Sequence, residues 1–384
     1  MIKSNPFTPQ SGWEPRIFAG RHPQIISFRR TLSDCLERGP SHMVVLGQWG
    51  IGKTSLLKQY KKIVQEEGGL AALCPMSKSP KGSTVRDGIR LIIEEIIFGI
   101  PKLKNTQGFL ETLEGAGITI AGFGAHFARK KRSLQPQVEL TEFLLKMWPH
   151  LGTKLAVILL DDIQNFMAVS SVIDILRSVL SKEEVVSQCR YLFVLSSTRD
   201  AWEEFIDKHD PVGRFFRKRE YIENLGAEEV GTLITNSLRT TGVTFAGEVI
   251  EQVFRHTQGH PYEVQLLCSH LYESQIEGTV TIKEWPHAFT AALRELGRDY
   301  FDSMLRKSSD RERIVLEVLA ELDKEATIKE IQQALWRRHK NFPLENVKNF
   351  LYRSENKGLI KKAARGSFRI LDPMLAAYIR QSFT

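Results

Sequence analysis

The sequence predicts an α/β fold: a parallel sheet covered by helices on both faces, then a helical region, then a C-terminal module of three helices and a hairpin. Three observations carry this reading. Short runs that are apolar throughout, "KLAVILLDD" and "CRYLFVLSSTRD", alternate with helical patterns, and strands apolar on both faces belong to parallel sheets buried on both sides. After "RFFRKREYIENL" the strand signal fades and helical spacing takes over. From Arg306 onward three helical stretches are followed by strand, Arg-Gly turn and strand. A chain of 384 residues is too long for one ordinary core, which agrees with several domains. The boundaries expected are 1–40 for a lead and first helix of the sheet module, 41–223 for the sheet, 224–300 for the helical domain and 306–384 for the last module.

Each element has its own local signal. Pro6, Pro9, Gly12 and Pro15 make an extended lead. "RHPQIISFRRTLSDCLERG" sets Ile25, Phe28, Leu32 and Leu36 at helical spacing before a Gly-Pro stop. "HMVVLG" is a short buried strand, "KTSLLKQYKKIVQEEGG" a helix ended by paired glycines, and "LAALCPM" the next strand. "TVRDGIRLIIEEIIFGI" is a helix stopped by Pro101, and "GAGITIAGFGAH" a hairpin or flexible loop, followed by the basic run Arg129–Arg132. "VELTEFLLKMWPHLG" and "VSSVIDILRSVLSK" are helices flanking the strand that ends at Asp161 and Asp162. "AEEVGTLITNSLRTTG", "GEVIEQVFRHTQG" and "PYEVQLLCSHLYESQIEG" form the helical domain. "RERIVLEVLAEL", "TIKEIQQALWRR" and "LENVKNFLYRSENKG", the last ending at Gly358, then "LIKKAARGSFRIL", make a winged helix-turn-helix.

Bulk properties narrow the function classes. Apolar content of 42% and charged content of 26% are those of a globular protein. The most apolar stretch, Ile89–Ile100, is cut by Glu94 and Glu95 and falls short of the roughly 20 residues a membrane span needs. The N-terminus shows no apolar run of signal-peptide type, and Cys35, Cys74, Cys189 and Cys268 have no paired spacing. A cytoplasmic protein without membrane, zinc or disulfide framework is expected. The net charge of +8 is concentrated: about 17 Lys/Arg stand against about 10 Asp/Glu from Arg306 onward. Such a local excess suits an anionic partner such as nucleic acid or an acidic surface.

The chemistry is written in four places. "GQWGIGKT", Gly47 to Thr54, lies between a strand and a helix, with Gln48, Trp49, Gly50, Ile51 and Gly52 in the turn and Ser55 just after it. Glycines there let backbone N–H groups face a phosphate at the helix N-terminus, where the dipole favours negative charge. Lys53 would reach the β and γ phosphates, and the Thr54 hydroxyl would be a Mg²⁺ ligand. Asp161, at the end of a buried strand, would hold the same ion, and Asp162 stands where a carboxylate would orient water. In "FVLSSTRD", Ser197, Thr198 and Arg199 follow a strand whose carboxyl end should face the same crevice, and Arg199 would sense the γ-phosphate. Gly259-His260-Pro261 opens a helix of the second domain as a rigid turn able to pack on a base.

"IFAGRHPQI", "GQWGIGKTS", "ILLDDIQNF", "LSSTR" and "GHPYEVQLL", occurring in this order before a winged helix, resemble the prokaryotic AAA+ and STAND-type P-loop ATPases, including archaeal ATPases and origin-recognition-like proteins. The resemblance covers roughly Pro6 to Ile379 and implies a P-loop NTPase sheet, an α-helical lid domain and a winged helix-turn-helix. It also implies ATP or ADP with Mg²⁺, with Gly20, Arg21 and Pro261 lining the base or ribose side, and nucleotide-dependent oligomerisation. An arginine finger acting on a neighbouring subunit would come from Arg214 or Arg217. Two departures point to a switch rather than a motor. Most hydrolytic relatives carry glutamate where Asp162 stands; the aspartate reaches about 1.5 Å less far, a displacement able to cost about 100-fold. No lid arginine follows Pro261; Tyr262, Glu263, Val264 and Gln265 occupy the helix start.

In the last module Val347, Phe350 and Leu351 should face the core, leaving Lys348, Tyr352 and Arg353 outward for a DNA groove, with Arg365 at the wing tip and Arg337, Arg338 and Lys340 nearby. Winged helices also dock proteins, so double-stranded DNA and a separate effector protein are both open as partners.

Overall fold

The computed structural model describes residues 4–9, 15–77, 83–100, 103, 135–165, 171–275, 278–340, 342–363 and 366–382. Residues 115–126, the basic run at 129–132 and Arg365 lie outside the described residues. The chain divides into two compact units, Gly20–Glu223 and Met1–Ala19 with Asn224–Thr384.

In the first unit, α1 (His22–Glu37) precedes β1 (Met43–Leu46), α2 (Lys53–Glu66), β2 (Leu70–Pro75), α3 (Val85–Gly99), α4 (Pro136–Leu151) and β3 (Ala156–Asp161). Then come α5 (Ser171–Leu180), α6 (Glu183–Gln188), β4 (Tyr191–Ser197), α7 (Arg199–Lys208), α8 (Asp210–Phe215) and β5 (Lys218–Tyr221). The five strands are all parallel, in the order β2-β3-β4-β1-β5. Every residue of β1, β3 and β4 is buried, as expected of a sheet covered on both faces. Leu46 aligns with Ser197 and Tyr221, and Leu160 with Leu195, so the carboxyl ends of β1, β3, β4 and β5 share one edge.

Local chemistry explains the helix ends. Thr84 accepts from Asp87 N while the Asp87 carboxylate accepts from Thr84 N, a reciprocal cap that starts α3. Helix α1 buries Phe28, Thr31, Leu32 and Cys35, whereas Leu36, expected inward, is 50% exposed. Cys35, one position earlier, continues the i, i+3, i+4 row from Leu32 and Thr31, and that row sets the packed face.

The second unit holds α9 (Ala227–Leu238), β6 (Thr244–Phe245), α10 (Gly247–Thr257), α11 (Pro261–Glu273), β7 (Thr279–Val280) and α12 (Trp285–Leu296), then a π-helical turn at Gly297–Phe301 and α13 (Asp302–Leu305). α14 (Asp310–Leu322), β8 (Ala326–Thr327), α15 (Ile328–Arg337), α16 (Leu344–Asn356), β9 (Ile360–Lys362), β10 (Ser367–Ile370) and α17 (Pro373–Ser382) complete it. Reciprocal caps at Ser309/Glu312 and Thr327/Glu330 start α14 and α15. The expected hairpin is present as β9 and β10, and β8 adds an antiparallel third strand that its two-residue length hid in the sequence. One continuous hydrophobic cluster runs through this unit from Val230 and Leu267 to Leu316, Phe368 and Leu375.

The N-terminal lead sits differently from the expected grouping of residues 1–40. Phe7 is buried against Phe245 and Tyr272, Asn5 Nδ2 donates to Ser269 O at 3.1 Å, and Thr8 N donates to Gln265 Oε1 at 3.0 Å. A single buried phenylalanine with flanking hydrogen bonds ties the lead to α11.

Candidate nucleotide-binding site

The site grows out of β1. Past its last residue, Ile222 N donates to Leu46 O at 2.8 Å and Gly47 N donates to Ser197 O at 3.2 Å, so pairing carries the chain rigidly to the mouth of the loop. The glycines then serve different ends. A Cβ on Gly47 would lie 2.7 Å from Ile51 Cγ2 and 3.2 Å from Ile222 O, so close packing demands glycine there. Gly50 and Gly52 have φ of 74° and 95°. A Cβ on Gly52 would meet nothing within 4 Å, so its glycine answers to backbone conformation alone. Gly52 is also the N-cap of α2, and a glycine cap offers the first-turn N–H groups no side-chain acceptor, which leaves them to an anion.

Lys53 opens α2 and turns back over the loop. Its Nζ donates to Gly47 O at 3.2 Å and Gln48 O at 3.0 Å, and the side chain is buried. Burial pulls its pKa below the usual lysine value, opposed by Asp162 and then Asp161. A desolvated cation held at a helix N-terminus is fitted to a multiply charged anion. Thr54 Oγ1 donates to Asp161 Oδ2 at 2.5 Å, and Ser196 Oγ donates to Asp161 Oδ1. Asp161 is 4% exposed; burial raises its pKa, and the hydrogen bonds from Ser196 and Thr54 hold it down. Among the described residues no group of three or more His, Cys, Asp or Glu could hold a metal. One hydroxyl and one carboxylate are the oxygen-only donor set that suits Mg²⁺ when phosphates complete its shell.

Asp162 lies just past β3 with φ of 57°, its N–H donating to Ser196 Oγ at 2.9 Å and its Oδ1 accepting from Gln164 Nε2 at 3.0 Å. Ser196 therefore bonds both acidic residues. Sequence reasoning selected Ser197 and passed over Ser196; the register that sets Leu160 opposite Leu195 brings Ser196 beside Asp161 on one face of the sheet, and alternation sends Ser197 to the other. The Ser197 hydroxyl is buried and has no hydrogen-bond partner among the described residues.

The other expected residues divide. Gln48 and Trp49 are exposed, Trp49 by 38%, and Ser55 is half-buried. Gly20 and Arg21 both have positive φ. The Arg21 guanidinium is buried and donates to Glu223 O at 2.5 Å and Ile51 O at 3.0 Å, so it clamps the loop backbone to the chain leaving β5. Arg199 stands at the first position of α7, where its Nε donates to Glu203 Oε1 at 2.8 Å and its guanidinium lies 5.2 Å from the Tyr221 ring centroid. Arg214 pairs with Asp210 one turn away, and Arg217 is exposed.

In the second unit, Pro261 occupies the first turn of α11 as expected. Gly259 before it has φ of 75°, and a Cβ there would fall 1.9 Å from Leu225 O, beside the hydrogen bond from Leu225 N to Gly259 O at 2.9 Å. This turn is built around a crossing of two backbones. Glu263 is buried, and burial followed by the neighbouring Asp372 carboxylate pushes it well above the usual carboxylate range. On α16, Lys348 lies 3.8 Å from Glu345 and Arg353 is exposed. Tyr352, expected outward, is half-buried against Phe368, and its hydroxyl accepts from Lys362 Nζ at 3.2 Å. The bulk of the ring finds apolar cover on β10, and the exposed Lys362 takes the outward position. Arg338 is neutralised by Glu317 and Glu321, while Arg337 and Lys340 are exposed.

No protein-family model matches the chain, and neither does any curated protein. Solved structures do. The chain is similar to the Walker-type ATPase of Pyrococcus abyssi (14% identity, TM-score 0.64, 96% of this chain and 97% of that one). It is also similar to the ORC2 protein of Aeropyrum pernix, solved as ADPNP–ADP complexes (13%, TM-score 0.65, 97% and 95%). A third is Cdc6p of Pyrobaculum aerophilum (14%, TM-score 0.50, 97% and 96%). At these identities the likeness is one of fold: the P-loop α/β fold with helical lid of the ORC/Cdc6-like AAA+ proteins.

Proposed function

We propose that the chain is a regulatory ATPase that binds ATP at the Gly47–Thr54 loop, hydrolyses it slowly, and uses the nucleotide state to govern self-association and engagement of double-stranded DNA. The observation that carries this reading is the connected array of Lys53, Thr54, Asp161 and Ser196 at the head of α2. In it Lys53 and the first-turn N–H groups receive the phosphates, and Thr54 with Asp161 would hold Mg²⁺. Mg²⁺ bound there would supply positive charge that offsets the charge developing on the phosphates. Ser196 fixes the carboxylate of Asp161 and the peptide of Asp162 together, so that the metal-holding and water-orienting acids keep one spacing. Asp162 accepts a proton from the attacking water less effectively than a longer acid would, which sets a slow turnover. Arg199, held by Glu203 and lying over Tyr221, would respond to a γ-phosphate by exchanging the Glu203 carboxylate for it.

For the partner, the local positive excess of the C-terminal module favours DNA, with Lys348, Arg353, Lys361 and Lys362 exposed on α16 and β9. Arg338 is spent on Glu317 and Glu321 and contributes little to that field. A separate effector protein docking on the same module is the alternative partner. Gel filtration with ADP against a non-hydrolysable ATP analogue tests the scheme. Assembly should follow the analogue and vanish in Lys53→Ala; an elution profile and a DNA affinity indifferent to both nucleotide and Lys53 overturn it.

A further inference from the structure

A cavity of about 550 Å³ lies in the second unit, formed by α12, the π-helical turn, α13 and α17. One wall is Thr290, Arg294, Arg298 and Asp302; the other is Tyr378, Gln381 and Ser382. On an uninterrupted α-helix, residues four apart drift about 40° per step around the axis, so such a row would wind out of a shared wall. The i→i+5 turn at Gly297–Phe301 unwinds that drift, which is how every fourth residue from Thr290 to Asp302 comes to line one cavity.

The turn is also pinned in place. A Cβ on Gly297 would sit 2.2 Å from Tyr378 Cε2, so the Tyr378 ring rests directly on the glycine. The Tyr378 hydroxyl donates to Asp302 Oδ1 at 2.6 Å and accepts from Ser382. Asp302 is thereby engaged by the facing wall. Arg298 is bonded through Nε to Asp299, and Arg294 makes no ion pair among the described residues. Two guanidinium groups one turn apart repel each other, and a shared anion removes that penalty.

We propose that this cavity is a second ligand site, separate from the Gly47–Thr54 loop, for a small phosphate-bearing molecule. Arg294 and Arg298 would clamp the phosphate, with Thr290 and Gln381 as neutral donors, and the Asp302–Tyr378 pair would accept from a hydroxyl on the remainder of the ligand. Guanidinium groups suit this task because their planar donors match phosphate oxygens in pairs. A cavity of this volume is of small-ligand size.

The test titrates inorganic pyrophosphate and ribose 5-phosphate into full-length Lys53→Ala protein at fixed salt by calorimetry. The same titration of the unsubstituted chain saturated with ADP serves as a second background. Binding at one per chain is expected, weakened about tenfold by either Arg294→Gln or Arg298→Gln and abolished by both together. Binding of ribose 5-phosphate but not pyrophosphate assigns a sugar phosphate, and the reverse assigns a free inorganic anion. Both arginines are exposed, so their replacement leaves the fold intact, checked by an unchanged melting temperature without ligand. The proposal is overturned if neither probe binds in either background, or if the double substitution leaves binding unchanged. It is equally overturned if the arginines affect only the binding of a short DNA duplex, which would make the cavity part of a backbone-contacting surface. Retention of ATP binding by the arginine variants separates failure here from failure of the ATPase reading.

Discussion

Replacing Asp162 by glutamate should speed hydrolysis while destabilising the protein, and the opposite signs make the substitution decisive. The aspartate lies past the end of β3 with φ of 57°, a left-handed conformation that a short polar side chain tolerates better than a long one. The longer side chain moves the carboxylate about 1.5 Å outward, a displacement of the size that changes rate about 100-fold, or about 2.7 kcal/mol of barrier. Against this, glutamate costs about 1 kcal/mol of backbone strain. It also gives up the 3.0 Å bond from Gln164, worth about 1 kcal/mol more. Stability should therefore fall by about 2 kcal/mol in urea unfolding while phosphate release at saturating ATP rises by up to about 100-fold. Asp162→Asn, which keeps the size and removes the base, should abolish release. A glutamate variant that binds ATP normally yet turns over no faster would refute the idea that reach limits the reaction.

Two further outcomes follow from packing and burial. Gly259→Ala should cost at least about 3 kcal/mol, because its Cβ meets a carbonyl oxygen that cannot rotate away, and positive φ adds to the penalty. Gly52→Ala, with open space around the new Cβ, should cost only about 1–2 kcal/mol yet impair nucleotide binding; equal losses for the two in denaturant titration would contradict the distinction. His42 is buried among Phe193, Phe215 and Phe216, and its Nδ1 accepts from Phe193 N at 3.0 Å. Burial lowers its pKa from 6.5 to about 3, so the unfolded chain binds the proton first as pH falls. Its contribution is complete above about pH 6.5 and lost progressively down to about pH 3, at up to about 1.4 kcal/mol per pH unit. His42→Asn, which retains an acceptor without titrating, should flatten the acid limb of the unfolding midpoint against pH.

Legibility in the sequence tracks how local each cause is. Strands β1, β3 and β4 were readable because burial on both faces leaves an apolar run, and α3, α14 and α15 because each segment carries its helical pattern within itself; their reciprocal caps were found in the structure. The phosphate loop was readable because its glycines stand at fixed spacing before Lys53, two of them, Gly50 and Gly52, at positive φ. Helix α17 was missed: "DPMLAAYIRQS" follows the hairpin, and its helix packs against α14 and α12. Arg199 illustrates the limit for a site residue, since its place after β4 was evident while its attachment to Glu203 and Tyr221 was not.

The sequence by itself determined which chemistry is present: a glycine loop, a lysine, a hydroxyl and two acids, each placed by short-range backbone preference. Only the tertiary structure decided how they are joined. The strand order β2-β3-β4-β1-β5 seats β4 between β1 and β3, and Ser196 can bond both acids only from that central position. Gly47 and Gly259 show the same division. Their identity is visible in the chain, but the reason for it is close packing: Ile51 and the Ile222 backbone in one case, the Leu225 backbone in the other. Strand order and chain crossings depend on contacts between residues far apart in sequence, and no local pattern carries them.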